Sequence, residues 1–470
     1  MTEAPIQTRR KWATLTVVGA GTFMSALDGS IVNIALPVIG RETRAPVSTL
    51  EWVALGYFIT LSIGLLPCGR LGDLYGKRRI FLAGQACFGL GSLLCGLSGG
   101  IGLLVASRVV QALGGAMLLA LSPAVLVEAF PVEERGRALG LQATMTYLGM
   151  SIGPALGGFL TQHFGWPSIF FLNVPISLAT VAASLRVIRH DGRSPSVPFD
   201  LQGTVAMALG LGGLLFALSK GPELGWTSPG TLASLAVAFL GWAGFLWIEA
   251  CVPAPSLDIR LFRSRVFTAS TLAALLCYLN TAATSFLVPF FLIRGCGLPA
   301  QSAGLDLMMV PLGMLLLTAL SGHWSDRAGP RGPTVLGMAV MAAGACLTRT
   351  LTPGVAQARV MGSLLLIGLG AGLFTAPNNS AIMGAAPRHR QGVAGAILAA
   401  ARTLGYAFGV ALAGLIYVLD QLRHPAAPGR DLVQKALRDG MVLVGLLAIA
   451  AGGLSLFRGS GERFADKRLT

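Results

Sequence analysis

Long apolar runs separated by short polar segments constrain this chain more than any other feature. The runs are about 18 to 25 residues long, which is the length a helix needs to cross the hydrocarbon core of a bilayer. A backbone in that solvent must satisfy its own hydrogen bonds, so each run is predicted to be a helix. The sequence therefore predicts an all-α integral membrane protein with fourteen transmembrane helices. They are residues 12–37, 50–68, 80–98, 102–126, 138–161, 167–187, 200–218, 230–250, 266–292, 302–321, 333–350, 358–378, 393–417 and 439–457.

The composition agrees with this class. Of the 470 residues, 54% are hydrophobic and only 12% are charged, and the mean hydropathy is +0.70. A soluble domain carries about 25% charged residues. The net charge of +15 is spread over the loops, so it indicates topology and contact with lipid headgroups rather than nucleic-acid binding.

Basic residues set the predicted orientation. An even number of spans places both termini on one side, and most Lys and Arg residues lie on that side, which predicts cytoplasmic termini. Thr8-Arg9-Arg10-Lys11 leads into the first apolar run, which is expected to stay as a span rather than be cleaved. The predicted location is the cell (inner or plasma) membrane, crossed many times.

An internal repeat divides the chain. The charged, glycine-punctuated segment Gly69–Arg79 recurs, degraded, 253 residues later as Gly322–Arg331, and it is interpreted as a loop with a tight turn. The aligned pairs are Gly69 with Gly322, Asp73 with Asp326, Gly76 with Gly329, Arg78 with Arg331, Asp28 with Asn280, Pro37 with Pro289, Gly149 with Gly405, and Gly153 with Gly409.

This repeat predicts two pseudo-symmetric six-helix bundles, residues 1–190 and 263–470. A linker and two inserted helices, residues 191–262, lie between them. Parallel repeats of this kind place a substrate site near the membrane midplane.

Four motifs carry a resemblance to a known family. They are Leu27-Asp28-Gly29-Ser30-Ile31-Val32-Asn33-Ile34-Ala35-Leu36-Pro37, the loop after span 2, Arg108-x-x-Gln111, and Gly149-x-x-x-Gly153-Pro154-x-x-Gly157-Gly158. With these motifs in order, the chain resembles major facilitator superfamily transporters, and specifically their fourteen-span drug:proton antiporter branch. The resemblance implies a monomeric exporter that takes its energy from the proton motive force and uses no cofactor. Its expected partners are a small-molecule substrate, protons and the lipid bilayer.

Asp28 and Arg108 are the charged residues of greatest interest. Asp28 lies deep in span 1, where a carboxylate costs about 3 kcal/mol unless it is protonated, paired or hydrated. Arg108 cannot lose its proton and needs an acceptor, which Asp28 could supply directly or through Gln111 or water. The resemblance implies proton coupling or recognition of cationic drugs for Asp28, and a proton relay for Arg108. A structural ion pair is the alternative. Ala112 replaces the family's usual glycine, which predicts wider packing there.

Further residues are candidates for a cargo-binding site. Asp306, near the outer end of span 10, is either a second cation contact or an interfacial aspartate whose side chain reaches water. Four further side chains could line a cavity, where the aromatic rings would stack on planar cations, although any single one of them is more often a helix-packing residue. These four are Asn33, Trp52, Tyr57 and Tyr147.

Two motifs are interpreted as a seal and a latch between the two halves of the sequence. Gly149, Gly153 and Gly157 lie on one face of span 5 and permit close approach of another helix, while Pro154 can bend it. With Gly158 they form the antiporter motif, which the resemblance identifies as a seal between the halves. The loop with Gly69, Asp73, Gly76, Lys77 and Arg78 is expected to latch the cytoplasmic ends. Asp73 would contact the start of span 13 near Gln391 or else Arg135 and Arg137, and Asp326 would be its weaker copy.

These observations predict proton-coupled export of drugs, antibiotics or other amphipathic, cationic small molecules by alternating access. In this scheme Asp28 binds cargo or a proton in turn. A lipid, siderophore or metabolite is the alternative cargo, and a sensor or scaffold without flux is a third reading. No phosphate-binding loop, metal-ligand spacing or nucleophile–base pair is present in the sequence, so neither an enzyme nor a metal site is expected.

Overall fold

The computed structural model of the protein describes residues 3–188, 200–251, 259–387 and 390–457. Nearly all of the predicted linker after residue 190 lies outside these ranges. The described residues form helices and short connections. The helices are α1 Glu3–Thr43, α2 Val47–Tyr75, α3 Lys77–Gly96, α4 Ile101–Ala129, α5 Arg135–Phe164, α6 Ser168–Phe171, α7 Asn173–Val187, α8 Leu201–Leu224, α9 Pro229–Cys251, α10 Arg265–Phe290, α11 Ala300–Leu307, α12 Met309–Ala328, α13 Arg331–Arg349, α14 Gln357–Ala385, α15 Gln391–Arg423 and α16 Gly429–Leu456.

The fourteen predicted spans all fall on these helices, which confirms the all-α fold. The short helix α6 and α7 together form span 6, and α11 and α12 together form span 10. A π-helical turn, Phe291–Gly295, extends α10. Twelve helical segments among the described residues are long and apolar enough to cross a membrane. Two more helices, α5 and α13, occupy predicted spans 5 and 11 without meeting that criterion.

The chain divides into two compact units. The first contains residues 1–214, 234–242 and 298–308, and the second contains residues 215–233, 243–297 and 309–470. The inserted helices α8 and α9 thus contribute to both units, and α11 belongs to the first. The predicted domain boundaries at residues 190 and 262 stay a prediction.

The internal repeat is visible in how glycines bring helices together within each unit. In the first unit a Cβ built on Gly114 would lie 2.6 Å from the carbonyl oxygen of Gly84, on the neighbouring helix α3. In the second unit a Cβ on Gly370 would lie 2.5 Å from the carbonyl oxygen of Gly337, on α13. Because these are backbone contacts, only glycine fits at such crossings. The two units therefore use the same close helix crossing at matching positions.

The turn between spans 2 and 3 is tighter than predicted. Helix α2 continues to Tyr75, so the segment interpreted as a loop from Gly69 onward is mostly helical. Gly76 alone separates α2 from α3, and its φ of 97° explains the glycine. In the second copy α12 continues to Ala328, and Gly329 turns the chain with φ 83°. The predicted pairing of Gly76 with Gly329 is confirmed by this shared geometry.

We expect Gly114→Ala and Gly69→Ala to have opposite effects on stability. The added methyl group at Gly114 would push α4 away from α3, because its nearest neighbours are backbone atoms of Phe88 and Gly84. Gly69 is helical and has open space around it, so alanine there should stabilise by about 0.5–1 kcal/mol. Thermal unfolding of the purified protein in detergent measures both. An unchanged melting temperature for Gly114→Ala would contradict the packing described here.

Candidate functional site

A buried ion pair between α1 and α4 forms the centre of the candidate site. Arg108 Nη1 donates to Asp28 Oδ2, and the two side chains are 1% and 0% exposed. Two buried charges are stable together only when their remaining polar atoms also find partners. The contact between Asp28 and Arg108 that the sequence predicted is direct, with no side chain between them.

The guanidinium of Arg108 is held on several sides. Its Nε donates to the carbonyl oxygen of Val53 at 3.1 Å, and its Nη1 also donates to Gln111 Oε1 at 2.5 Å. Arg108 and Gln111 are three residues apart on α4 and so share one helix face. The ring of Tyr57 lies 4.1 Å from Arg108 Cζ, which adds a cation–π contact.

The second oxygen of Asp28 accepts two amide donors. Gln111 Nε2 donates to Oδ1 at 2.8 Å and Asn173 Nδ2 donates to the same atom at 3.1 Å. Gln111 Nε2 also donates to Ser92 Oγ at 2.7 Å. Ser92 gives its own proton to the carbonyl oxygen of Phe88, so its oxygen can only accept from Gln111. This chain of bonds fixes which way the Gln111 amide points.

Glycine makes this network possible. A Cβ built on Gly91 would lie 2.5 Å from Gln111 Cα, so α3 reaches the Gln111 backbone only because Gly91 has no side chain. This contact places Ser92, the next residue, beside the Gln111 amide. Ala112 is completely buried next to it. The sequence predicts wider packing at Ala112, but Gly91 still brings α3 against the backbone of Gln111, the residue before it.

The structure gives the other predicted cargo residues different surroundings. Tyr57 is buried on Arg108, and its hydroxyl lies 3.1 Å from Ser25 Oγ, so it belongs to the ion-pair network. Trp52 and Tyr147 are half-buried. Asn33 is 8% exposed, and its Oδ1 has no hydrogen-bond partner among the described residues. Asp306 is completely buried in α11. The prediction of an interfacial aspartate whose side chain reaches water is therefore wrong.

The glycine face of α5 packs on α1 of the same unit. A Cβ on Gly149 would lie 2.5 Å from the carbonyl oxygen of Phe23, and one on Gly157 would lie 2.5 Å from Ile31 Cγ1. A Cβ on Gly153 would overlap Ser30. The predicted seal between sequence halves therefore does not lie on this face.

The neighbouring face of α5 contacts a segment from the second half of the sequence. A Cβ on Gly158 would overlap the carbonyl oxygen of Ala300 on α11, and one on Gly304 would overlap the carbonyl oxygen of Pro154. Gly158 and Pro154 are thus the motif residues that meet the second half of the sequence. Gly304 is their partner, and sequence reasoning missed it.

The predicted latch has other partners in the first unit. Asp73 lies 4.0 Å from Arg70, one helical turn away, while Arg135 donates to the carbonyl oxygen of Val127 and Arg137 lies over the Trp12 ring. Asp73 therefore contacts neither Arg135 nor Arg137 in this structure, and the latch, which is expected when the outside is open, stays a prediction. Asp326 is exposed.

The two basic residues after Gly76 tie the start of α3 to its neighbours. Lys77 forms an ion pair with Glu128 at the end of α4, and Arg78 Nη2 donates to the carbonyl oxygen of Leu185 at 2.6 Å. These contacts tie the start of α3 to the ends of α4 and α7 in the first unit.

The second unit repeats the scaffold without its charges. Gly344 approaches Ile367 as Gly91 approaches Gln111, with a built Cβ 2.8 Å from the Ile367 backbone nitrogen. The same register places Leu364 where the first unit has Arg108. Asn280, the counterpart of Asp28, is buried and donates to the sulfur of Met341 at 3.6 Å. The ion-pair chemistry is therefore specific to the first unit.

Sequence reasoning missed two members of the network, Asn173 and Ser92. Both are uncharged polar residues in largely apolar spans, where they resemble ordinary helix-packing residues. No group of three or more His, Cys, Asp or Glu side chains within the described ranges is placed to hold a metal ion.

We expect the protein to lose more stability when one partner of the ion pair is replaced than when both are replaced. Asp28→Leu leaves Arg108 charged and without its acceptor, which should lower the free energy of unfolding by about 3–5 kcal/mol. Arg108→Met should cost less, because Asp28 can become neutral by taking a proton. The double variant should be more stable than Asp28→Leu alone. Thermal unfolding in detergent tests this order, and additive effects of the two substitutions would contradict it.

Comparison with known proteins gives consistent results. A sequence model of the Major Facilitator Superfamily matches residues 18–410. The chain is 33% identical to the riboflavin transporter RibZ of Clostridioides difficile, over 86% of this chain and 87% of that protein. It is 34% identical to the tetracenomycin C resistance and export protein of Streptomyces glaucescens, over 87% and 76%. It is 32% identical to the multidrug resistance protein Stp of Mycobacterium tuberculosis, again over 87% and 76%.

Solved structures agree at the level of the fold. A bacterial homologue of the human lysosomal transporter Spinster, in an inward-facing and unoccupied conformation, superposes with a TM-score of 0.70 at 14% identity, covering 96% of this chain and 97% of that one. The POT family transporter PepTSo gives a TM-score of 0.64 at 14% identity, covering 95% of this chain and 97% of that one.

Proposed function

Because the chain belongs to the major facilitator superfamily, we propose that it exports drugs, antibiotics or other amphipathic, cationic small molecules across the cell membrane in exchange for protons. Like its relatives, it is a multi-pass membrane transporter and not an enzyme. The direction of transport, the proton coupling, a monomeric state and cytoplasmic termini are parts of the proposal. The tetracenomycin and multidrug relatives support an export role.

The observation that carries the proposal is the buried Asp28–Arg108 pair. An ionisable residue inside a membrane protein is expensive and usually marks an ion or substrate path. Asp28 can change its charge by taking a proton, whereas Arg108 cannot, so a proton arriving here would change the charge of the site by one unit. This is the property that a proton-coupled transporter requires.

The geometry favours the proton over the cargo as the ligand of Asp28. Both carboxylate oxygens already accept hydrogen bonds from Arg108, Gln111 or Asn173, and the side chain is completely buried. The sequence led us to expect direct competition between cargo and proton for Asp28. We propose an indirect coupling instead. Protonation of Asp28 frees Arg108 from its counter-charge, the contacts between α1 and α4 change, and this change is transmitted to the cargo path.

The driving force limits the possible cargo. One pH unit supplies about 1.4 kcal/mol, and one charge moving across 100 mV supplies about 2.3 kcal/mol. If one monovalent cation leaves for each proton that enters, no net charge moves and only the pH gradient drives export. A neutral or zwitterionic cargo would also gain from the voltage.

A metabolite is the second candidate cargo. The relative named as a riboflavin transporter covers nearly the whole of this chain at 33% identity, so a planar, neutral metabolite is a specific alternative. A lipid or siderophore cargo has no comparable support among these relatives.

We expect proton-driven transport to depend on Asp28. In proteoliposomes with an imposed pH gradient, ethidium or tetraphenylphosphonium should dissipate the gradient through the wild-type protein. Asp28→Asn, which keeps an oxygen that can accept from Arg108, should abolish this flux while the protein remains folded. Asp431→Asn, an exposed aspartate at the start of α16, is the matched control and should behave as wild type.

Each result of this assay has a distinct meaning. Normal flux through Asp28→Asn would contradict the proposed coupling. Dissipation by riboflavin but by neither cation would favour the metabolite.

A further inference from the structure

Asn173, at the start of α7, is the least explained neighbour of Asp28. Its side chain is completely buried, and its Nδ2 donates to Asp28 Oδ1 at 3.1 Å. Its own oxygen, Oδ1, makes no hydrogen bond with any described residue. A buried amide oxygen without a partner is uncommon because it loses its hydration without compensation. The arrangement therefore calls for a second state in which this oxygen is used.

The two charge states of Asp28 need opposite partners. The ionised carboxylate only accepts hydrogen bonds, whereas the protonated acid must also donate one. Arg108 has no acceptor to offer. Gln111 Oε1 already accepts from Arg108, and the Gln111 amide cannot turn without breaking its bond to Ser92. Asn173 Oδ1, by contrast, is buried without a partner among the described residues, and it belongs to the amide that already contacts Asp28 Oδ1.

We propose that Asn173 is a positioning residue that stabilises Asp28 in both of its protonation states by turning its side-chain amide. With Asp28 ionised, Asn173 Nδ2 donates to it, as observed. When a proton binds to Asp28 Oδ1, that bond breaks, the amide makes a half-turn about Cβ–Cγ, and the new O–H donates to Asn173 Oδ1. The terminal torsion of asparagine is broad and roughly two-fold, so such a turn is accessible. The inference rests on the proposed function, because it requires Asp28 to take and lose a proton.

The surroundings of Asp28 determine the expected effect. The charged and titratable groups that act on it are Arg108 on α4, Tyr57 on α2 and Cys95 on α3. From α5, Gly149, Gly153 and Gly157 pack on α1 and bring no charge to it. Without Asn173 the ionised form loses a charge-assisted hydrogen bond and the protonated form loses a neutral one. Since the charge-assisted bond is the stronger, Asp28 should bind its proton at higher pH.

The test is the pH profile of transport by Asn173→Leu in proteoliposomes with ethidium as the cargo. We expect its half-maximal pH to rise by about one unit, a tenfold change in proton affinity. Gln85→Leu is the matched control, because Gln85 is also a completely buried amide, accepting from Ser184 of α7 at 2.9 Å. It should keep the wild-type pH profile even if it unfolds at lower temperature.

A second variant and a spectroscopic measurement keep the proposal testable if Asn173→Leu is not recovered. Asn173→Ala removes the same hydrogen bonds with a smaller side chain. The infrared carbonyl band of protonated Asp28, identified by its loss in Asp28→Asn, should move to higher frequency in either variant. An unmoved band together with a wild-type pH profile would overturn the role of Asn173.

The outcomes also separate this inference from the proposed function. If Asp28→Asn abolishes coupled flux while the Asn173 variants behave like Gln85→Leu, only the inference about Asn173 fails. If Asp28→Asn transports normally, the proposed coupling itself fails.

Discussion

A pair of opposite charges buried inside a membrane protein is the constraint on which the rest of the first unit depends. Either charge alone would be strongly destabilising there, and the pair is stable because Gln111, Asn173, Val53 and Tyr57 contact it. Several helices must therefore meet at one place with their polar atoms in register. The glycines of α3 and α5 permit this approach, so the helix packing and the chemistry have one common cause.

The internal repeat shows how scaffold and chemistry can be separated. Both units bring helices together with glycines at matching positions, and both turn at a glycine with positive φ, Gly76 or Gly329. Only the first unit keeps the ion pair. In the second unit Asn280, Leu364 and Ile367 occupy the equivalent places, and a proton arriving there would find no carboxylate. The helix scaffold is thus present in both units, whereas the buried ion pair is found only at the first of the two equivalent positions.

The sequence predicted most of the fold and the centre of the site, for physical reasons that also explain the failures. Apolar runs in a bilayer can only be helices, and a charge inside such a run stands out, so Asp28 and Arg108 were identified, and Gln111 was found through the motif that it shares with Arg108. Asn173 and Ser92 were missed because an uncharged polar residue in a span carries no such signal. Gly69 was placed in a loop because glycine and charge suggest a turn, whereas the helix continues through it. For Tyr57 the sequence left a cavity-lining role and helix packing open, because a ring that stacks on a drug and one that stacks on Arg108 look the same in a sequence.

The central claim is that Asp28 carries the proton that is exchanged for cargo. The most direct measurement is proton release from the purified protein in weakly buffered detergent when ethidium is added, followed with a pH indicator. The account predicts that the wild-type protein releases protons on binding ethidium and that Asp28→Asn binds ethidium without releasing any. Equal proton release by the two proteins would contradict it.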